Sequence, residues 1–284
     1  MSAIAIGSPM SRALRGAGLY ALVLLSLCVM LFPIGWMIVT SFKLPDEIFV
    51  RPPTIYPHAP TLQGYGVAFS GTIMMALANS LIIAAGAAAI ATTAGSLCAY
   101  GVSRSRFAGR TAFMTLLLAT LGLPIPLLML TLYLMFSWSG ILNTHLCLIL
   151  SHAAITLPVV VWMLKDFFDA LPPDVEEAAY IDGASLYTCF WRIVVPMTTP
   201  GLAAAGIFVF VTSWNEFIFG LAFTTSSSVR PLPAMISLLF LGEFQYRWGD
   251  AMAVAVVVTI PVMALFVFFQ RYFIQGITAG AVKS

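Results

Sequence analysis

Residues 171–196 read LPPDVEEAAYIDGASLYTCFWRIVVP, a polar island between two long apolar stretches. The connection around it, Lys165 to Thr199, holds six of the chain's eleven acidic residues: Asp166, Asp169, Asp174, Glu176, Glu177 and Asp182. Its local grammar predicts two short helices. Leu171-Pro172-Pro173 ends the incoming helix, because each proline ring disfavours helical backbone in the residue before it. Asp174 is placed to cap a new helix, and Glu177, three residues on, to complete a capping box. The acids then lie at the positive end of the helix dipole. Gly183 offers the left-handed conformation that stops the helix. A second helix is expected from about Ser185 to Val194, until Pro196 breaks it. The product is a helix–turn–helix knob outside the membrane. Its small residues Ala178, Ala179, Gly183 and Ala184 suit close seating in a partner's groove; the plainer alternative is an amphipathic pair resting on the membrane surface.

Outward from the island the chain is apolar. Of 284 residues, 61% are hydrophobic and 8% charged, where a soluble domain carries about a quarter charged. A net charge of +2 gives no ground for a nucleic-acid partner. A helix needs roughly 20 apolar residues to cross a ~30 Å hydrocarbon core. Six stretches qualify: Leu19–Thr40, Met75–Tyr100, Thr111–Tyr133, His145–Leu164, Gly201–Thr224 and Ala251–Phe269. Alternating ten-residue segments of an outer-membrane barrel are absent, so the expected fold is an all-α membrane protein with six transmembrane helices. With the N-terminus in the cytoplasm, Arg12, Arg15, Arg104, Arg106, Arg110, Lys165, Arg192, Arg271 and Lys283 lie inside. Lys43, Arg51, Arg230 and Arg247 lie outside, and nine against four satisfies the positive-inside rule with both termini cytoplasmic. The first stretch is too long for a signal-peptide core and reads as a retained anchor. The organisation expected is a cytoplasmic tail over 1–18, a six-helix domain over 19–273 with an outer loop at 41–73 and the cytoplasmic connection at 165–199, and a cytoplasmic tail over 274–284.

The outer loop carries Pro45, Pro52, Pro53, Pro57 and Pro60, which argue for an irregular, semi-rigid segment rather than a helix. Helix two has a small residue at every fourth position, Ala87, Ala91, Gly95 and Ala99, a spacing that admits close approach of another helix. Pro33, Pro124, Pro126, Pro158 and Pro261 lie within predicted spans, where they read as causes of curvature before hinges. Cys28, Cys98, Cys147 and Cys189 form no CxxC pair and are expected as free thiols.

Glu177-Ala178-Ala179, then three residues, Gly183, nine residues, Ile193, one residue and Val195-Pro196 resemble the EAA loop of permeases of ATP-binding cassette importers. Arg51-Pro52-Pro53-Thr54, Pro60-Thr61-Leu62, Asn79-Ser80-Leu81, Asp182-Gly183-Ala184-Ser185, Ser213-Trp214-Asn215-Glu216-Phe217 and the ending from Gln270 to Lys283 are similar to the carbohydrate branch and its maltose-type second permease. Gln63-Gly64-Tyr65 and Ser151-His152 depart from that branch's usual residues and leave the substrate open. The resemblance implies the type I importer permease fold in the bacterial cytoplasmic membrane. It also implies docking of an ATPase subunit on Asp174, Glu176, Glu177, Ala178, Ala179, Asp182, Gly183, Ala184, Ile193 and Pro196, and a C-terminal tail (Gly276, Thr278, Gly280, Lys283) reaching toward the ATPases. The implied partners are a second, different permease, two ATPase subunits that use ATP and Mg2+, an extracytoplasmic sugar-binding protein and membrane lipid. The implied cargo is a sugar or polyol, with glycerol phosphate esters or another small polar solute as the alternative.

Glu216 is the one acid well inside a predicted span, where a charge costs at least ~2.5–3.5 kcal/mol on insertion scales. It falls ~22 Å above the cytoplasmic start of helix five at 1.5 Å per residue, sharing a face with Thr212 and Gly220 and flanked by Ser213 and Asn215. The stripe reads equally as a wall of the solute path or as structural pairing. His152, about 10 Å below the outer end of helix four, reads first as a residue satisfying a hydrogen bond and second as a solute contact. Trp214 and Phe217 read as packing before stacking on a sugar ring. His58 and His145 lie too far apart in sequence to suggest a metal site, and HExxH, GxSxG and GxxxxGK[ST] are absent, so no catalytic residue, metal or bound cofactor is assigned. A secondary transporter would need its own ion-coupling site, often in inverted repeats, and one intramembrane carboxylate without a visible repeat argues against it.

Overall fold

The computed structural model describes residues 9–242 and 245–281, with side-chain environments over 16–240 and 247–268. Fourteen α-helices are present among them: α1 Pro9–Ser41, α2 Pro45–Ile48, α3 Gln63–Ala68, α4 Gly71–Arg104, α5 Arg110–Ala119, α6 Ile125–Trp138, α7 His145–Asp169, α8 Pro173–Ile181, α9 Leu186–Cys189, α10 Val195–Met197, α11 Thr199–Trp214, α12 Ile218–Phe223, α13 Leu232–Phe240 and α14 Trp248–Ala281. Two two-residue strands, β1 Leu241–Gly242 and β2 Gln245–Tyr246, follow α13 in the chain. The chain forms two compact units, one from the chain up to Phe69 with Glu243–Val257, the other from Ser70–Gly242 with Val258 onward.

Among the described residues, four helices are long and apolar enough to cross a membrane unbroken, in α1, α4, α7 and α14. The other two predicted spans are interrupted. The third bends by 99° between Gly122 and Ile125, where Pro124 and Pro126 deny the backbone its helical bonds; these prolines end a helix rather than curve it. Pro33, Pro158 and Pro261 remain inside their helices. The fifth, expected as one helix over Gly201–Thr224, stops at Trp214 and restarts as α12. The backbone of α14 continues as helix to Ala281, through much of the segment expected as a tail.

The larger unit is organised around α4. Ala87, Ala91, Gly95 and Ala99 are all buried, and a β-carbon on Gly95 would lie 2.5 Å from the side chain of Val160 on α7. The small-residue stripe therefore sets the α4–α7 contact. Removing side chains is how membrane helices gain packing where lipid supplies no hydrophobic drive. Val160, Val161, Leu164, Phe168, Phe190, Val194, Ala205 and Val209 complete that core from α7, the segment after α8, and α11.

The smaller unit contains α1, exposed along Leu22, Leu25, Val29 and Phe32 as a lipid-facing helix would be. The 41–73 loop, expected on the outer side, is not wholly irregular, since α2 and α3 form within it; Pro45 starts α2, where its missing N–H costs nothing. Glu47 holds this loop together, accepting bonds from the Thr54 hydroxyl (2.9 Å) and the His58 amide (3.0 Å). Partial burial pushes its carboxyl up, but the His58 amide and the Thr54 hydroxyl outweigh that and hold it below the usual range. Lys43, buried beside Trp36 (4.6 Å to the ring centroid), donates to the Thr54 carbonyl.

Candidate functional site

The knob of residues 173–197 forms, by a different local logic from the one expected. Helix α8 begins at Pro173 with Pro172 as its cap residue, and no side chain caps it. Asp174 lies inside the first turn, so the expected capping box with Glu177 does not occur. A proline at the first helical position starts the helix without it, because its absent N–H is one of those left unpaired anyway. The stop is as expected: Gly183 has φ +84°, with Ala184 N–H bonded to Ala179 O (2.9 Å) and Gly183 N–H to Tyr180 O (3.1 Å). Ser185 caps α9 through Thr188 N–H at 3.2 Å. Pro196 does not break the second helix. The chain passes from α9 through a π-helical turn, Phe190–Val194, into α10, and the sharp bend of 78° falls between Met197 and Thr199.

The two adjacent glutamates face opposite ways. Glu176, 6% exposed, turns into the core, where its carboxylate accepts from Tyr100 Oη (2.7 Å) and pairs with Arg104 Nε (2.6 Å). Arg104 also donates to the Leu171 carbonyl at 3.3 Å, tying both ends of the turn before α8 to the end of α4. Ala179, one turn on, is buried on the same face. Asp174, Glu177, Ala178, Asp182 and Gly183 are exposed, Ala184 and Ile193 half-buried, and Pro196 exposed. Among the exposed residues stand Ile181 (86%), Tyr187 (74%) and Leu186 (64%), an apolar surface bordered by acids. Tyr100 and Arg104 were not foreseen as part of this site. Arg104 was legible only as one of the basic residues that orient the chain.

Between α7 and the α11–α12 break, His152 meets two residues expected on a different span, Ser213 and Glu216. His152, 1% exposed, lies 2.5 Å (Nδ1) from Ser213 Oγ and 3.2 Å (Nε2) from Glu216 Oε2. Glu216 sits in the break between α11 and α12 rather than in a continuous helix, and accepts from Phe219 N–H (3.0 Å) and Gly220 N–H (3.2 Å). The His152 ring bridges Ser213 on α11 and Glu216 in the break. The carboxylate thus does for α12 what a cap residue does, and ties it to α7. The expected common face of Thr212, Glu216 and Gly220 is lost with the break. Thr212 is half-buried, Asn215 is exposed and bonds Val211 O, and Gly220 packs against Pro231. Trp214 is buried and stacks on Phe210 as packing.

At the start of α7, His145 Nε2 lies 2.9 Å from Asn79 Oδ1, while Asn79 Nδ2 donates to Ser228 O and Arg230 O. Among the described residues no cluster of histidine, cysteine and acidic side chains could hold a metal, and the four cysteines are free. Of the predicted tail residues, Gly276, Thr278 and Gly280 lie where only the α14 backbone is described, and Lys283 lies outside the described residues.

Comparison with known proteins gives the same architecture a lineage. The chain resembles a crystal structure of a bacterial ABC transporter involved in import of the acidic polysaccharide alginate. The TM-score is 0.79 at 19% identity, covering 94% of this chain and 99% of that one, a likeness of fold. It is 37% identical to the sulfoquinovosyl glycerol transport system permease protein SmoH of Agrobacterium fabrum, covering 89% of each chain. It is 36% identical to the trehalose/maltose transport system permease protein MalG of Thermococcus litoralis, covering 90% of this chain and 92% of that one. Residues 91–279 match the family described as binding-protein-dependent transport system inner membrane component. The chain therefore belongs to that family, as an inner-membrane permease of an ABC transporter.

Proposed function

We propose that this permease carries a sugar or related polyol, delivered by an extracytoplasmic binding protein, along a path it forms with a second permease. Separate ATPase subunits, using ATP and Mg2+, would drive it through the α8–α9 knob. The supporting observation is the division of labour on α8. Glu177, Ala178, Ile181 and Asp182 face outward with Leu186 and Tyr187 as an unpaired apolar and acidic surface, while Glu176 and Ala179 fasten the same helix to α4. A partner that moves this surface moves the end of α4 with it, and α4 is the helix on which α7 and α11 pack. The substrate class is supported by relatives whose names specify sulfoquinovosyl glycerol and trehalose/maltose. His152, Ser213 and Glu216 join α7 to the α11–α12 break and so would shape the wall of the path.

In the reconstituted transporter, Glu177→Lys and Gly183→Pro should each abolish transport and solute-stimulated ATP hydrolysis. Proline at 183 is excluded by its fixed negative φ, and lysine at 177 reverses a charge on the outward face. Normal coupling in both variants refutes the docking assignment. The cargo is read by measuring which sugars, polyols or glycerol phosphate esters the cognate binding protein retains.

A further inference from the structure

Where α4 ends, α5 begins and α7 ends, Ser103, Arg104, Arg106, Arg110, Asp169 and Pro173 line an open concavity of about 470 Å³. Its charges are unevenly matched. Arg104 is committed to Glu176, and Lys165 Nζ to Asp169, whose other oxygen accepts from Ser103 Oγ at 2.5 Å. Arg110 reaches Asp169 only at 3.7 Å. Arg106 is exposed and makes no hydrogen bond or ion pair among the described residues. Four cations therefore face two carboxylates that are already engaged, and two guanidinium groups are left for an anion. We propose that this concavity holds the phosphate of an anionic membrane phospholipid.

The chemistry favours phosphate because the planar guanidinium fork matches its oxygens two at a time. A lipid, rather than free phosphate, is favoured by what adjoins the concavity. Arg110 is the first residue of α5, which buries none of its side chains and exposes Phe113 and Leu116. That helix opens one of the two bent pairs apolar enough to cross the membrane, so an acyl chain has an apolar surface beside its headgroup. Basic pockets at the ends of membrane helices recognise lipid headgroups on these grounds.

The assembled transporter, loaded with phosphatidylglycerol and phosphatidylcholine and stripped in mild detergent, would be examined by native mass spectrometry. The wild type should retain phosphatidylglycerol in preference to phosphatidylcholine. Each basic residue near an anionic headgroup is worth about fivefold, so Arg106→Gln should weaken retention about fivefold and Arg106→Gln/Arg110→Gln about 30-fold. Arg106→Gln removes no hydrogen bond or ion pair among the described residues, so its folding is not at stake. Unchanged retention in both variants overturns the proposal. Displacement of the lipid by millimolar inorganic phosphate overturns it in favour of a free-phosphate site. Loss of an ATPase subunit with lipid retention intact assigns the surface to a protein interface instead.

Discussion

The larger unit holds two carboxylates, one buried and one half-buried, by different means. Glu176, at the knob, is held by an arginine and a phenol from α4. Glu216, at membrane depth, is held by two backbone amides and an imidazole. The first arrangement sets a guanidinium and a phenol against the carboxylate; the second sets backbone amides and a ring nitrogen against it. Arginine is costly within the hydrocarbon and cheap where α4 leaves it. The cation-held site fastens α8 to the end of α4, while the amide-held site completes a helix the chain has broken.

The largest effect expected from breaking this comparison is at Arg104. Arg104→Ala leaves Glu176 buried beside Tyr100 without its cation, and breaking one partner of a buried pair costs about 3–5 kcal/mol. The purified chain should melt correspondingly lower, and Arg104→Ala/Glu176→Gln should recover much of the loss, because the uncompensated charge is gone. A loss below about 1 kcal/mol, the range of an exposed pair, would show that the fastening is superficial. A smaller effect is expected at Glu216. Glu216→Gln keeps an acceptor for the α12 amides and loses only the strength that charge adds, so about 1–2 kcal/mol is expected, with solute specificity unaltered. Altered specificity at full thermal stability would instead make Glu216 a solute contact.

The sequence made the spans, the knob and the two candidate sites legible, but not how they are joined. Periodicity of small residues exposed the α4–α7 contact because packing alone sets it. Gly183 was readable because only one backbone conformation ends a helix that way. Glu176 and Glu177 could not be told apart, since adjacent residues differ by 100° around a helix and no local rule says which side is inside. The break at Asn215 carried no proline or glycine. It is stabilised by the Glu216 carboxylate on amides and by His152 from 64 residues away, a tertiary cause that propensity does not record. The capping box failed for a related reason: Pro173 already satisfied the geometry Asp174 was expected to supply.

Glu47 offers the amide-held arrangement outside the membrane, where its titration is open to measurement. Its carboxylate accepts from the His58 amide and the Thr54 hydroxyl, which hold it below the ordinary value of 4.5 in spite of partial burial. A group whose pKa is depressed on folding contributes stability above its unfolded value and loses it as the pH falls through the folded value. The outer loop should therefore be fully ordered above about pH 5 and loosen only as the pH drops below 4.5, once protonation removes the acceptor. Amide exchange at His58, referenced to the intrinsic rate at each pH, reads this directly: protection should hold through neutrality and fall in that acid window. Thr54→Val should move the window upward, since it removes one of the bonds that favours the ionised form. Protection lost nearer neutrality would mean that burial outweighs the amide, and the backbone dipole would then be too weak a counter-group for Glu47.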